Sequence, residues 1–558
     1  MHASDKIQEF NEDVIIKVIE TSLRENNFKR IKYLINTIDI ESFLNHKTLN
    51  LFGISSININ ELKKAKLYFY KSLKILPNNL NALLGLWNIY DREKNYEKLL
   101  GITHKLLIKR PNNNDLYIKL GNIYYNIKKY NLALKYFKKT LNTEVELISL
   151  VKIAKIYFLK NNFNTSLKYL LKAHSKSNDD TEVCELLGRC YDRLGKGEKA
   201  RFYFQLLAKI EPDKPHGFHN IGMSYTLQGD MDKAKFYYEM ALNVDNDFPE
   251  SNHNLSFIHL RNGNFKEGWE KYEYRLICDP NIKKPNTYLP EWNINYNNSD
   301  LFIWPEQGIG DYIFFSSMLE ELLTYCKSIT SAISPKLISL YNRSMPNINF
   351  LPANAKINPK AFSHQLAIGS IPKFLRKNKI DFLKSKKSYL IPDKKKINYF
   401  LQDKDKDNKL RVGLSWNSKS QNSLEKNIDL FELMNYLKEF DYEFVNLQYG
   451  NVEKEIKLIE NEYGVKITNF KTLDYYEDLD SLSALLKTCD IVITIPNATQ
   501  TLSSALGIKT IILLNKHPSF RWQNFGSKCI WHPNNYLIRN KSNKWDRAFL
   551  ELCEYLKS

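Results

Sequence analysis

Cysteine is sparse and never paired in sequence. The seven residues Cys184, Cys190, Cys278, Cys326, Cys489, Cys529 and Cys553 contain no CxxC spacing. An odd, dispersed set argues against a disulfide framework and a finger-type zinc site, and fits a reducing compartment. Long apolar runs are missing too, since none approaches the roughly 20 residues needed to cross a bilayer. The opening segment MHASDKIQEF is polar, unlike a secretory leader. No RNA- or DNA-binding motif occurs, and no carboxylate pair is placed for a metal. Together these absences predict a cytoplasmic protein with no transmembrane segment, no nucleic-acid partner, no metal and no permanently bound cofactor.

What is present is a chain of 558 residues, long enough for two to four domains, with 43% hydrophobic residues as in ordinary globular proteins. The formal charge of +19 is spread along the chain among asparagines, isoleucines and tyrosines rather than gathered in one tract. That pattern reads first as a solvated basic surface. The anionic partners it would attract are nucleotides, acidic proteins or, in peripheral membrane contact, lipid headgroups.

A period of 34 residues runs through the first half. One small position falls at Ala65, Leu99, Ala133, Ser166, Ala200, Ala234 and Gly268, at spacings of 34 with a single 33. A second tracks it at Gly53, Trp87, Gly121, Ala154, Gly188, Gly222 and Ser256. Aromatics follow at Tyr90, Tyr124, Tyr157, Tyr191 and Tyr225, and prolines close units at Pro77, Pro111, Pro212 and Pro280. Each unit is then a helix-turn-helix that cannot bury its apolar face alone. Small residues let its helices cross closely, and the aromatics are expected to fill the groove between neighbouring units. In period and motif the array resembles the tetratricopeptide repeats, with about seven units over 45–280 and a degenerate capping unit over 1–44. Such arrays offer a concave face to extended peptides or proteins. Asn88, Asn122, Arg189 and Asn220 on first helices are candidates for it, or plain surface residues.

The second half is different in kind. The segment WPEQGIGD, Trp304 to Asp311, follows an apolar run and precedes an amphipathic helix expected over 313–323. A strand, a glycine turn and a helix start suit an anionic or hydroxyl-bearing ligand, and Asp311 is placed to take a proton or to cap the helix. Gly308 and Gly310 would let backbone approach a ligand, or simply make the turn, with Glu306 and Gln307 supporting it. Further buried strands are expected at 412–415, 444–447, 491–495 and 510–514. Ser415, Trp416, Gln448 and Tyr449 stand at strand ends, where open α/β sheets bind ligands. Asn497, Ala498 and Thr499 start a helix whose free amides would face an anion, with Asn497 also suited to capping. Asp478 and Asp480 favour the start of the helix around 482–486.

Eight segments in a fixed order carry a second resemblance. The repeats end in FKEGWEKYEYRL, pass through PEW, and reach PEQGIGD; RVGLSWNS, KNIDL, FVNLQYG, ALLKTCDIVITIPNATQTLSSALG and FRW follow. Over about 260 residues this order resembles bacterial proteins joining tetratricopeptide repeats to a family 9, heptosyltransferase-like glycosyltransferase domain. The resemblance implies an α-solenoid followed by an α/β glycosyltransferase-B-like domain with two Rossmann-like lobes. A linker over 281–298 would lead to lobes over 299–395 and 396–558, with the hinge in the charged stretch 393–409. It implies an inverting, metal-independent transferase using a nucleotide-diphosphate sugar, with a protein or glycan acceptor presented by the repeats. Asp311 would be the general base, Gln307, Gly308, Gly310, Ser415, Trp416, Gln448, Asn497, Ala498 and Thr499 would lie at the substrates, and Lys426 would neutralise the donor phosphates or be another surface lysine. The chain departs from the family at Pro305, Pro496, Asn497, Thr501, Ser503 and Ser504, mostly on the donor side. Those departures keep open a non-catalytic scaffold with a degenerate transferase domain.

Overall fold

The structure, a computed structural model, describes residues 12–37, 45–402, 404, 409–418, 426–524, 526–542 and 544–558. Two compact units divide the chain, Met1–Glu211 and Pro212–Ser558.

The first unit is helical throughout its described part. Its hairpins are Glu12–Arg24 with Phe28–Thr37, His46–Asn58 with Leu62–Ile75, Leu80–Arg92 with Tyr96–Lys109, Asn114–Asn126 with Tyr130–Lys138, Glu146–Leu159 with Phe163–His174, and Thr181–Arg193 with Gly197–Ile210. The helices Glu12–Arg24 and Phe28–Thr37 fall within the stretch expected as a capping unit, of which residues 1–11 and 38–44 lie outside the described residues. Between the helices of each hairpin one residue takes left-handed backbone: Asn26, Asn60, Lys94, Lys128, Asn161 and Gly195. Caps recur as well, with Asn79, Asn113 and Asp180 accepting bonds from amides of the first helical turn.

Close crossing is written as pairs sixteen residues apart. A Cβ added at Gly53 would stand 2.5 Å from the Phe69 ring, at Gly121 2.4 Å from Phe137, and at Gly188 2.3 Å from Phe204. The missing side chain on the first helix is the space an aromatic on the second helix fills. Where the first helix carries Trp87 instead, its indole donates to Thr103 Oγ1 at 2.9 Å. Of the recurring tyrosines, Tyr90 reaches the neighbouring unit as expected, hydroxyl to hydroxyl with Tyr70, while three others pair differently. Tyr124, Tyr157 and Tyr191 stack on Tyr136, Tyr169 and Tyr203 of their own hairpins, with centroids 5.5–5.8 Å apart. Twelve residues along a hairpin bring the second helix level with the first, so the partner lies within the unit rather than in the next one.

The second unit opens with two more hairpins, His216–Gln228 with Met231–Val244 and Pro249–Arg261 with Phe265–Tyr272, and turns at Gly229 and Gly263. Two parallel sheets follow. The first has the order β3-β2-β1-β4, from β1 (Asp300–Trp304), β2 (Ser328–Ile333), β3 (Asn349–Pro352) and β4 (His364–Ala367). The second has the order β10-β9-β8-β5-β6-β7, from β5 (Arg411–Ser415), β6 (Glu443–Asn446), β7 (Ile467–Thr468), β8 (Ile491–Thr494), β9 (Lys509–Leu514) and β10 (Asn535–Arg539). Counted from β5, that is the 3-2-1-4-5-6 order of a doubly wound sheet. Its central strands β5 and β8 are buried along their whole length, as covered parallel strands must be.

One apolar core joins the last repeat to both sheets. Phe265, Trp269 and Tyr272 belong to the same buried cluster as Ile303, Phe315, Leu447, Trp522 and Trp531. The Trp269 indole donates to the Arg376 carbonyl at 3.0 Å. Of the charged stretch expected as hinge, Lys394–Leu401 is helical, and 403 and 405–408 lie outside the described residues. Among the described residues no helix is long and apolar enough to cross a membrane.

Candidate functional site

The strand order of each sheet reverses once, and both reversals carry the sequence-predicted residues. In the first sheet β1 lies between β2 and β4. Just beyond β1, Glu306 is buried and accepts from Arg275 Nε at 2.7 Å, Arg275 Nη2 at 2.8 Å and the Gly369 amide at 2.6 Å. Arg275 comes from the tail of the last repeat and also donates to Ser370 Oγ and Glu273. Burial works against its charge, but Glu306 and Glu273 hold its pKa up. A Cβ at Gly369 would meet Glu306 Oε1 at 2.3 Å, so the carboxylate occupies the space of a side chain. Glu306 therefore supports the loop, and Gln307 joins it by a 3.3 Å bond to the Tyr272 hydroxyl.

The helix expected over 313–323 is two helices, Ile309–Ser316 and Leu319–Leu323, and starts earlier. Gly308 is its N-cap residue and offers no side-chain bond, so Asp311 is inside the first turn and does not cap. Neither glycine has left-handed backbone; Gly308 sits at φ −68°. A methyl at Gly308 would meet only the Asp311 carboxylate, at 3.5 Å. The glycines leave the loop bare; the turn itself does not demand them.

In the second sheet β5 lies between β8 and β6. Gln448 is buried, and its carbonyl accepts from Ser415 Oγ at 3.1 Å, the Trp416 amide at 3.1 Å and the Asn417 amide at 2.8 Å. The Trp416 indole donates to Glu455 at 2.7 Å. Asn497 accepts from the Gln500 amide at 2.9 Å and donates to Ser415 Oγ at 2.9 Å, capping the helix Ala498–Ala505. Thr499 is buried in its first turn. Ser415, Trp416, Gln448 and Asn497 thus bond one another or the framework and shape the strand ends. The polar departures are satisfied within the fold: Thr501 donates to the Asn497 carbonyl, Ser503 pairs with Thr510, and Ser504 bonds Gln500 and Asn535. Asp478 caps the helix Leu479–Lys487, while Asp480 pairs with Arg343 of the helix Ile338–Ser344 and with Lys396 at 3.0 Å.

The two reversals meet. A Cβ at Gly310 would stand 3.5 Å from Ala498 Cα and 3.7 Å from Thr501 Oγ1, so the glycine loop abuts the start of the helix Ala498–Ala505. Asp311 is ion-paired with Arg521, in the turn Phe520–Trp522. The guanidinium lies 4.3 Å from the Phe314 ring centroid. Lys426 belongs to the same cluster: its pKa is lowered by burial, then by Arg521, against an opposing pull from Asp311. Behind it His532 is buried with both ring nitrogens unpartnered, its pKa lowered to about 4 by burial and by Arg521. Arg521, Arg275 and His532 were not singled out from the sequence. FRW and YEYRL were legible as motifs, but the partners lie 210 and 31 residues away.

Comparison with known proteins bears on the repeats. A tetratricopeptide-repeat family model matches residues 115–142, 181–214 and 215–248. A stretch of 254 residues is 29% identical to Protein FlbA of Caulobacter vibrioides (strain ATCC 19089 / CIP 103742 / CB 15), covering 42% of each chain. The chain therefore spans about two fifths of that curated relative's length. Among solved structures, YrrB, a TPR protein with an unusual peptide-binding site, is similar at 21% identity over 34% of this chain and 97% of its own, with a TM-score of 0.29. A tetratricopeptide repeat protein from Parabacteroides merdae ATCC 43184 is similar at 17% identity over 42% of this chain and 93% of its own, with a TM-score of 0.34. The chain carries tetratricopeptide repeats, followed by two parallel sheets.

Proposed function

We propose that the chain is an inverting, metal-independent glycosyltransferase of the glycosyltransferase-B type, drawing on a nucleotide-diphosphate sugar, with its repeats presenting a protein or glycan acceptor. The observation that carries this reading is the meeting of the Asp311 turn with the start of the helix after β8, at the strand-order reversal of a doubly wound sheet. That is where such sheets take phosphate-bearing ligands. In this reading Asp311 takes the proton of an acceptor hydroxyl. The oxygen attacks the anomeric carbon, and the bond to the donor phosphate breaks with its electron pair on the phosphate oxygen. The nucleoside diphosphate leaves against Lys426 and the amides of Ala498 and Thr499. Ser415, Trp416, Gln448 and Asn497 hold the strand ends that aim that helix, and Gly308 and Gly310 keep the acceptor side clear.

The test is Asp311→Asn. Transfer from a nucleotide sugar should fall by about 10²–10⁴, the usual worth of a positioned base, with folding unchanged and nucleotide still bound. Undiminished transfer would remove Asp311 from the mechanism. A second reading is a protein-binding scaffold without catalysis. It is favoured by the engagement of Asn497, Thr501 and Gln448 within the framework. A thermal-shift panel of UDP, ADP, GDP and CMP with their sugars separates the two. A ligand at about 100 times its Kd stabilises by roughly 2.7 kcal/mol, and no shift with any of them supports the scaffold.

A further inference from the structure

Asp311 is already held in this structure. Its carboxylate comes from the first turn of Ile309–Ser316 in the first lobe, and Arg521 reaches it from the second. The pair is partly shielded, with the Arg521 side chain 17% exposed and that of Asp311 31%. The guanidinium also rests 5.9 Å from the ring centroids of Phe315 and Phe520, so its stem is guided by aromatics while its fork meets the carboxylate.

Among the described residues, Arg521 and the half-buried Lys426 bring two cations to the cluster, Asp311 is the carboxylate that pairs with the first and pulls on the second, and the buried His532 is neutral. Lys426 has no ion pair among the described residues. Opposite the cluster is the start of Ala498–Ala505, whose free amides add positive potential. Among the described residues one positive charge is left over there, in a place partly withdrawn from water, and an anion completes such a group. Arginine suits an exchange of partners, because its planar fork fits carboxylate and phosphate oxygens equally well.

We propose that Arg521 is a donor-responsive latch: it holds Asp311 in the pair seen here, and a diphosphate arriving beside Lys426 takes the guanidinium over, freeing the carboxylate for the acceptor hydroxyl. Arg521 is then a positioning residue that couples donor arrival to the base, and donor binds before acceptor is activated. The choice of a diphosphate rests on the nucleotide-sugar reading above.

The latch makes Asp311 and the anion competitors for one guanidinium, which titration calorimetry on the full chain with inorganic pyrophosphate can read. Asp311→Asn should tighten pyrophosphate about tenfold, since the competitor is gone, and Arg521→Gln should weaken it about tenfold. In the Arg521→Gln background, adding Asp311→Asn should change affinity less than about threefold, because no exchange remains to be relieved. Arg521→Lys, which keeps the charge but loses the fork, should fall between wild type and Arg521→Gln, and far-ultraviolet circular dichroism checks that each variant is folded. Equal tightening by Asp311→Asn in both backgrounds would reduce the pair to simple charge repulsion and overturn the latch. So would unchanged affinity in Arg521→Gln, or no binding to the wild type. The expected pattern without any response to nucleotide sugars would sink the transferase reading and leave only the exchange of Arg521 between Asp311 and an anion.

Discussion

At the scale of single residues, the second unit is governed by polar side chains that must find partners inside it. Arg275 and Glu306 succeed: they bond each other twice, and Ser370, Glu273, the Tyr272 carbonyl and the Gly369 amide take up the remainder. His532 does not, and it makes the unit acid-sensitive. Its folded pKa of about 4 lies below that of an unfolded histidine, so the unfolded chain binds the proton first. Stability is therefore complete above the unfolded value and falls as pH drops through it. The loss from His532 is on the order of 2 kcal/mol between pH 7 and pH 5. His219 and His253, also lowered to about 4 by burial, add to the same limb. Denaturant titrations at the two pH values should show His532→Phe flattening that loss without abolishing it. An unchanged slope would place the sensitivity elsewhere.

At the scale of elements, the repeats depend on paired sizes rather than on small residues as such. Gly121 and Phe137 are a matched pair, and so are Gly53 with Phe69 and Gly188 with Phe204. The positions equivalent to Gly121 and Phe137 in the next unit hold Ala154 and Leu170, both fully buried. Gly121→Ala should therefore cost about 1–3 kcal/mol by overpacking against the Phe137 ring. Adding Phe137→Leu should recover most of it by recreating the neighbouring combination. Thermal unfolding of the single and double variants checks this, and a double variant no better than the single would show that the ring is not the obstacle. The same pairing explains how Trp87 is tolerated where a small residue was expected, since its partner position is Thr103.

At the scale of the whole molecule, the last two repeats are part of the sheet-bearing unit. Trp269 and Tyr272 touch Phe315 in the helix after β1 and Phe520 in the turn after β9, and Trp269 also touches Trp531. Residues 212–558 should then fold alone with a cooperative transition, whereas residues 281–558 would expose the Phe315, Phe520 and Trp531 surfaces and aggregate. Purification and size-exclusion chromatography of the two fragments decide it; a soluble, monodisperse 281–558 would put the boundary after the repeats. Ion pairs also tie the two sheet-bearing parts together, Asp480 with Arg343 and Asp311 with Arg521, beside the shared apolar core.

The sequence by itself determined what neighbours along the chain decide. The 34-residue period, the helix pairs and the five apolar runs that become β1, β5, β6, β8 and β9 are all local, because helices bond residues a few positions apart, repeats keep a fixed period and a covered strand is apolar along its own length. The strand–turn–helix at Gly308–Asp311 and the helix start at Asn497 were legible for the same reason. Tertiary structure alone decided which of those residues serve the framework and which face one another. Gln448 became the internal bond acceptor of a strand end, Tyr124 and its equivalents turned toward their own hairpins, and Arg521 met Asp311 across 210 residues. Such meetings depend on the path of the whole chain and on which buried charges must be paired, and no local pattern encodes either.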